Sequence, residues 1–181
     1  MELGENRLLK EIQTRRSIRK YQPRPVERQV VTEILEAALR APSSKAKIPW
    51  EFVVVDQPQL LQQLAGSKAI GSAFLREAPL CIVVCVNPER SDVWIEDGSV
   101  VASVMMLAAQ NLGLGSCWVQ FRERLTPDGT HSEDFVRATL GIPQPWQVLC
   151  GLALGYPAEE RAPYKKEELN FEKVHYNQFQ D

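Results

Sequence analysis

"WIEDGSVVASVMMLAAQNLGLG", residues 94 to 115, sets the architecture of this chain. It is apolar almost all the way round, so it reads as a buried central helix rather than one lying on the surface. Asp97 and Ser99 are placed to cap its start, and Gly113 and Gly115 end it. Ser99, Ser103 and Gln110 share one narrow polar stripe, where a polar group or another backbone can approach. "SCWVQ" (116–120) then reads as a strand. The turn between them, "GLGS" (113–116), follows a helix and precedes a strand. A dinucleotide-binding fingerprint needs the reverse order, so these glycines are a helix stop.

Outward from this unit, "VERQVVTEILEAALR" (26–40) is an amphipathic helix stopped by Pro42. "WEFVVVD" (50–56) is a short β-branched strand, and "PQLLQQLAG" (58–66) a short helix closed by Gly66. "PLCIVVCV" (79–86) is a continuous apolar run, expected to be a strand covered on both faces. "HSEDFVRATLGI" (131–142) is a helix with Ser132 as a candidate cap, and "QVLCGLALGYP" (147–157) is the last core strand. Helices and strands alternate irregularly, which favours an α+β sandwich over a doubly wound parallel sheet. After residue 157 the chain is polar and aperiodic, yet it carries Phe171, Tyr176 and Phe179. Those aromatics predict that the tail packs on something.

With 181 residues the chain makes one domain with a core. Lys and Arg total 21 against 23 Asp and Glu, a net charge of −2 that argues against a dedicated nucleic-acid binder. The apolar run 78–86 is far too short to span a bilayer. The start, "MELGENRLLKE", lacks the apolar region of a signal peptide, and a cytoplasmic protein is expected. Cys81, Cys85, Cys117 and Cys150 sit in apolar runs without metal-ligand spacing and are expected to be reduced and buried, so no metal is expected. His131 and His175 fall at a helix start and in the tail, poor positions for catalysts.

Against this near-neutral background, "RRSIRK" (15–20) concentrates four cations. Arg15 and Arg19 project to one side with Ser17 between them, enough to surround a phosphate monoester; a solvated basic helix end is the other reading. "APSSKAKIPWEF" (41–52) offers Ser43 and Ser44 as donors between a helix and a strand. It suits the edge of a flat ligand, or it is a polar connection.

In this order and spacing, "RRSIRKY" (15–21), "APSSKAKIPWEF" (41–52), residues 94–119, "ALGYPAEE" (153–160) and "KVHYNQF" (173–179) resemble the nitroreductase family over nearly the whole chain. The resemblance implies an α+β sandwich with a central, mainly antiparallel sheet, helices on both faces, and an intertwined homodimer. It divides the chain into an FMN-binding domain, residues 1–157, and a C-terminal arm, residues 158–181, reaching over the partner subunit. The implied cofactor is FMN, with NADH or NADPH as co-substrate. Hydride passes to flavin N5 and then, in a ping-pong cycle, to a nitroaromatic, quinone or similar small conjugated acceptor. Neither nucleic acid nor membrane is an expected partner.

By the family motif, Arg15 and Ser17 match phosphate and ribityl contacts, and Arg16 adds its backbone or charge. Arg19 matches a basic residue near the flavin pyrimidine. Pro42, Ser43 and Ser44 match residues approaching the ring from the other subunit, with Lys45 and Ala46 beside them. Val119, Gln120 and Phe121 match a segment whose backbone N–H addresses N5. Lys166 best fits the basic tail residue that completes the phosphate site, with Arg161 and Lys165 as rivals. No side-chain nucleophile is required; the flavin carries the chemistry and Arg19 stabilises charge developing on it. One departure stands out: Ala46 and Ile48 occupy positions where the family usually has Asn and Gln. A more apolar pocket is expected there, with a preference for flat, weakly polar acceptors. Lys45 and Lys47 flank the change, facing either the flavin or solvent. A flavin-binding module without turnover and a small nucleic-acid-binding protein are the rival readings.

Overall fold

The computed structural model describes residues 7–179. Residues 1–6 of the polar start, and residues 180 and 181 of the arm, lie outside the described residues. Five α-helices and four strands follow in the order α1 (Arg7–Thr14), α2 (Arg28–Leu39), β1 (Trp50–Val55), α3 (Pro58–Ala65), β2 (Leu80–Val86), α4 (Trp94–Asn111), β3 (Gly115–Gln120), α5 (Ser132–Leu140) and β4 (Gln147–Gly155). The strands form one sheet in the order β1-β2-β4-β3, antiparallel throughout. A short parallel bridge from Ser17 to Ser116 lays the basic segment along the free edge of β3.

Alternation along the strands builds two cores. Leu80, Ile82, Val84 and Val86 of β2 pack with Ile34 and Ala38 of α2 and Val101, Ala102 and Met105 of α4. Cys81, Val83 and Cys85 turn the other way, against Leu61 and Leu64 of α3 and Val136 of α5. Every residue of β2 is buried because both faces are covered, at about 1.5–3 kcal/mol per fully buried large aliphatic side chain. A bulge between Val84 and Cys85 shifts the register with β4, and Leu149 joins the α2–α4 core.

Helix α4 differs from its sequence reading in two ways. It begins at Trp94, and neither Asp97 nor Ser99 caps it: the Ser99 hydroxyl donates to Ile95 C=O, and the Asp97 carboxylate bonds outside the helix. It is also buried on one side only. Val100 is 41% exposed, and Val104, Leu107 and Ala108 line an open groove of about 600 Å³ with Leu8 and Ala37. Its C-terminus closes as expected, with Gly113 at φ 78° and bonds from Gly113 N–H to Gln110 C=O and Leu114 N–H to Ala109 C=O. Likewise Ser132 is the first residue of α5 rather than its cap, and its hydroxyl donates to Ser67 C=O.

Gly98 lets α4 lie directly on the sheet. A Cβ there would stand 2.5 Å from Leu149 Cδ2 and 2.9 Å from Val86 Cγ1. Gly98→Ala is expected to lower unfolding free energy by about 1–3 kcal/mol, as overpacking does, read as a lower denaturant midpoint with unchanged slope. A midpoint equal to wild type would show that the helix lifts freely.

All four cysteines are free and buried. Burial pushes the Cys81 and Cys85 thiols up to about 12, so they behave as small hydrophobes. Among the described residues no helix is long and apolar enough to cross a membrane, and no group of three His, Cys, Asp or Glu side chains is arranged to hold a metal.

Candidate flavin site

The basic segment leaves α1 at Thr14 and runs extended beside β3, held by Ile18 N–H to Ser116 C=O at 3.0 Å. Extended backbone sends Arg15, Ser17 and Arg19 to one side and Arg16 to the other. The first three act electrostatically on Cys117. Burial pushes its thiol up, while Arg19, the Ser17 hydroxyl, Arg15 and Arg161 pull it back. Ile18 and Tyr21 anchor the segment from below: both are buried, and the Tyr21 hydroxyl donates to Ile18 C=O at 2.6 Å.

Arg15 bears most directly on a ligand. Its Nη1 is buried and has no hydrogen-bond partner. Leaving a charged donor unsatisfied is costly, so a buried guanidinium nitrogen of this kind calls for an anion. Ser116 Oγ, on the β3 residue bridged to Ser17, is also buried without a partner. These donors fit a phosphate monoester, which offers three acceptor oxygens and negative charge.

Arg16 is engaged elsewhere. Its Nη1 donates to Ala162 C=O and its guanidinium lies 4.2 Å from the Tyr164 ring centre, so it holds the root of the arm. Glu159 reinforces that junction. Its Oε1 accepts Arg19 N–H at 2.6 Å and Lys20 N–H at 3.2 Å, and its Oε2 faces Arg161 at 3.2 Å. The Arg19 N–H and then the Arg161 guanidinium hold this carboxyl below its ordinary value of 4.5. A lowered folded-state pKa contributes stability that is complete above about pH 4.5 and is lost as pH falls through the lower, folded value. Glu159→Gln is therefore expected to reduce the acid sensitivity of unfolding below pH 4.5, while lowering stability at neutral pH. An unchanged acid limb would show that the junction does not titrate.

Of the candidate basic residues in the tail, Arg161 lines a small pocket with Arg16, Ile18 and Glu159, beside the basic segment. Lys166 lies exposed in a short 3-10 turn at 166–168, and Lys165 is exposed just before it. Two residues unremarkable in the sequence stand near the cluster. Phe74 lies beneath the Arg19 guanidinium at 5.8 Å. Lys68 is held below the ordinary lysine value by burial and then by Arg124, with Cys117 also within electrostatic reach.

The loop after α2 is strained. Lys45, Ala46 and Ile48 have φ of 52°, 53° and 46°, which costs about 1–2 kcal/mol per non-glycine residue. The contacts that hold it include Ser44 N–H to Asp97 Oδ1 at 2.7 Å, Ile48 N–H to Ser43 Oγ at 2.9 Å, Lys47 to Asp92 at 3.0 Å, and Asn87 N–H to Pro49 C=O at 2.8 Å. Pro42, Lys45 and Ala46 are exposed, Ser43 and Ser44 half-buried.

This loop does not meet the Arg15 cluster within one chain. It enters β1 at Trp50, at one edge and one end of the sheet; Ser17 lies beside Ser116, at the other edge and the other end. Four strand spacings across and six residues along make that diagonal about 28 Å. Val119, Gln120 and Phe121 lie at the far end of β3 from Ser17. Val119 and Phe121 are fully buried, and Gln120 bonds to the Trp118 indole and to Arg122 C=O.

Known proteins resemble this chain over most of its length. The family model described as "Nitroreductase family" matches residues 12–71 and 62–156. A curated protein of Archaeoglobus fulgidus, assigned provisionally as an NADH dehydrogenase/NAD(P)H nitroreductase, is 35% identical over 172 residues, covering 92% of this chain and 95% of the relative. The structure of an FMN-dependent nitroreductase from Clostridium difficile R20291 superposes with a TM-score of 0.92 at 43% identity, over 94% of this chain and 99% of that one. The NADPH:FMN oxidoreductase of Vibrio harveyi, solved with NAD+, gives a TM-score of 0.78 at 25% identity, over 97% and 79%. With a strand-edge cluster suited to a phosphate and these matches across both segments of the domain, the chain belongs to the nitroreductase family of FMN-dependent NAD(P)H oxidoreductases.

Proposed function

We propose that each FMN is held between two copies of the chain. Arg15 and Ser17 of one copy take the phosphate, Arg161 adds charge from the arm root, and Pro42 to Ala46 of the other copy form the opposite wall. The observation that carries this reading is the buried, unpartnered Nη1 of Arg15. The diagonal separation of the loop from that nitrogen supports a second chain, because one copy cannot bring both to one flavin. The open apolar face of α4 and the exposed Leu8 and Ile12 of α1 supply a surface for a homodimer. Residues 158–181 then form the arm that reaches over the partner.

Bound FMN supplies the chemistry, taking two electrons from NADH or NADPH and passing them to a small conjugated acceptor such as a quinone or nitroaromatic. The protein binds and orients. Arg19 holds positive charge at the flavin end of the cluster, fixed by Glu159 through its backbone and by Phe74 beneath its guanidinium. Val119 and Gln120 at the end of β3, and Phe121 just beyond it, offer backbone donors to the ring. Ala46 and Ile48 leave the partner wall apolar, which favours flat acceptors of low polarity. The four free, buried thiols fit a reducing compartment, the cytoplasm.

Anaerobic mixing of the purified flavoprotein with NADH or NADPH, followed by a quinone or a nitroaromatic, tests the cycle. Bleaching of the flavin band by a nucleotide, and faster return with the quinone, is the expected result. Bound FMN that neither nucleotide bleaches would overturn it.

A further inference from the structure

The loop from Ser43 to Ile48 keeps three non-glycine residues at positive φ, a conformation that persists only where surrounding contacts over-determine it. Its link to the core is Asp97. This side chain is 5% exposed; Oδ1 accepts Ser44 N–H at 2.7 Å and Oδ2 accepts the Ser91 hydroxyl at 2.7 Å. Asp97 belongs to the first turn of α4, where the positive end of the helix favours a carboxylate. Its neighbour Gly98 lies against Leu149 and Val86, so the carboxylate sits where the helix lies directly on the sheet. The loop is thereby registered to the sheet.

We propose that Asp97 is a positioning residue for the acceptor side of the flavin site. By fixing Ser44 N–H it sets the turn that presents residues 43–46 to the partner's flavin. The inference rests on the two-chain reading above, and Asp97 acts only through the loop.

Asp97→Ala is expected to raise KM for a quinone about tenfold and to shift the visible absorption and circular dichroism of bound FMN, as for loss of a charge-assisted bond. The preference for FMN over riboflavin stays intact. Asp97→Asn keeps the volume and one neutral acceptor, so KM rises only about threefold. Ser91→Ala removes the other bond alone; it lowers Tm and moves neither KM nor spectrum. If both Asp97 variants lower Tm while leaving KM and spectrum at wild-type values, the proposal is overturned.

A mixed dimer of one Asp97→Ala chain and one Arg15→Ala chain separates this failure from failure of the two-chain site. With the loop serving the partner's flavin, one site is intact and about half of wild-type turnover returns. No recovery above the parent homodimers would mean that the loop serves its own chain, overturning the two-chain reading and the partner-side role together.

Discussion

Arg15→Ala is expected to weaken FMN binding by about 1.5–3 kcal/mol, roughly ten- to a hundredfold or slightly more, while leaving riboflavin affinity nearly unchanged. Arg15 Nη1 has no protein partner, so its removal breaks no hydrogen bond made by that nitrogen within the chain. Relief of a buried, unpaired donor offsets the lost packing of its aliphatic stem, so apo-protein Tm should hold or rise. The holoprotein should lose most of its additional stabilisation, because ligand-linked stability follows affinity. Titrating apo-protein with FMN and with riboflavin reads both effects. Equal losses for the two ligands would take Arg15 off the phosphate.

Deletion of residues 160–181 is expected to abolish stable dimerisation and FMN retention together. Phe171, Tyr176 and Phe179 are 63%, 80% and 81% exposed on a single chain. Burying three such rings on a partner contributes about 5–9 kcal/mol, a large share of what holds two small subunits together. The deletion spares Glu159, so the clamp on Arg19 N–H and Lys20 N–H persists. It removes Arg161 and the Ala162–Tyr164 contacts of Arg16. A truncated chain that sediments as a dimer and stays fully yellow would show that the arm clasps nothing.

Much of this molecule is legible where one stretch of sequence fixes one element. Residues 79–86 and 94–120 carry their own periodicity and stops, and Arg15, Ser17 and Arg19 share a side through simple alternation. Legibility fails where a local signal and a tertiary one look alike. Asp97 near a helix start resembles a cap, yet its carboxylate bonds Ser44, 53 residues away. Ser132 resembles a cap for the same reason and instead satisfies Ser67 C=O. Glu159 gives no local sign of its clamp, since the backbone amides it accepts lie 140 and 139 residues earlier. The apolar circumference of α4 was legible but ambiguous. One chain covers only part of it, and the remainder is the open groove beside α1. The strain at Lys45, Ala46 and Ile48 was illegible because none of the three is a glycine.

Native mass spectrometry of the purified protein tests the two-chain flavin site most directly. The expected result is a dimer carrying two FMN, and monomers released at higher collision energy that appear without the cofactor. A monomer that binds FMN in solution would contradict it, because every contact needed for the flavin would then come from one chain.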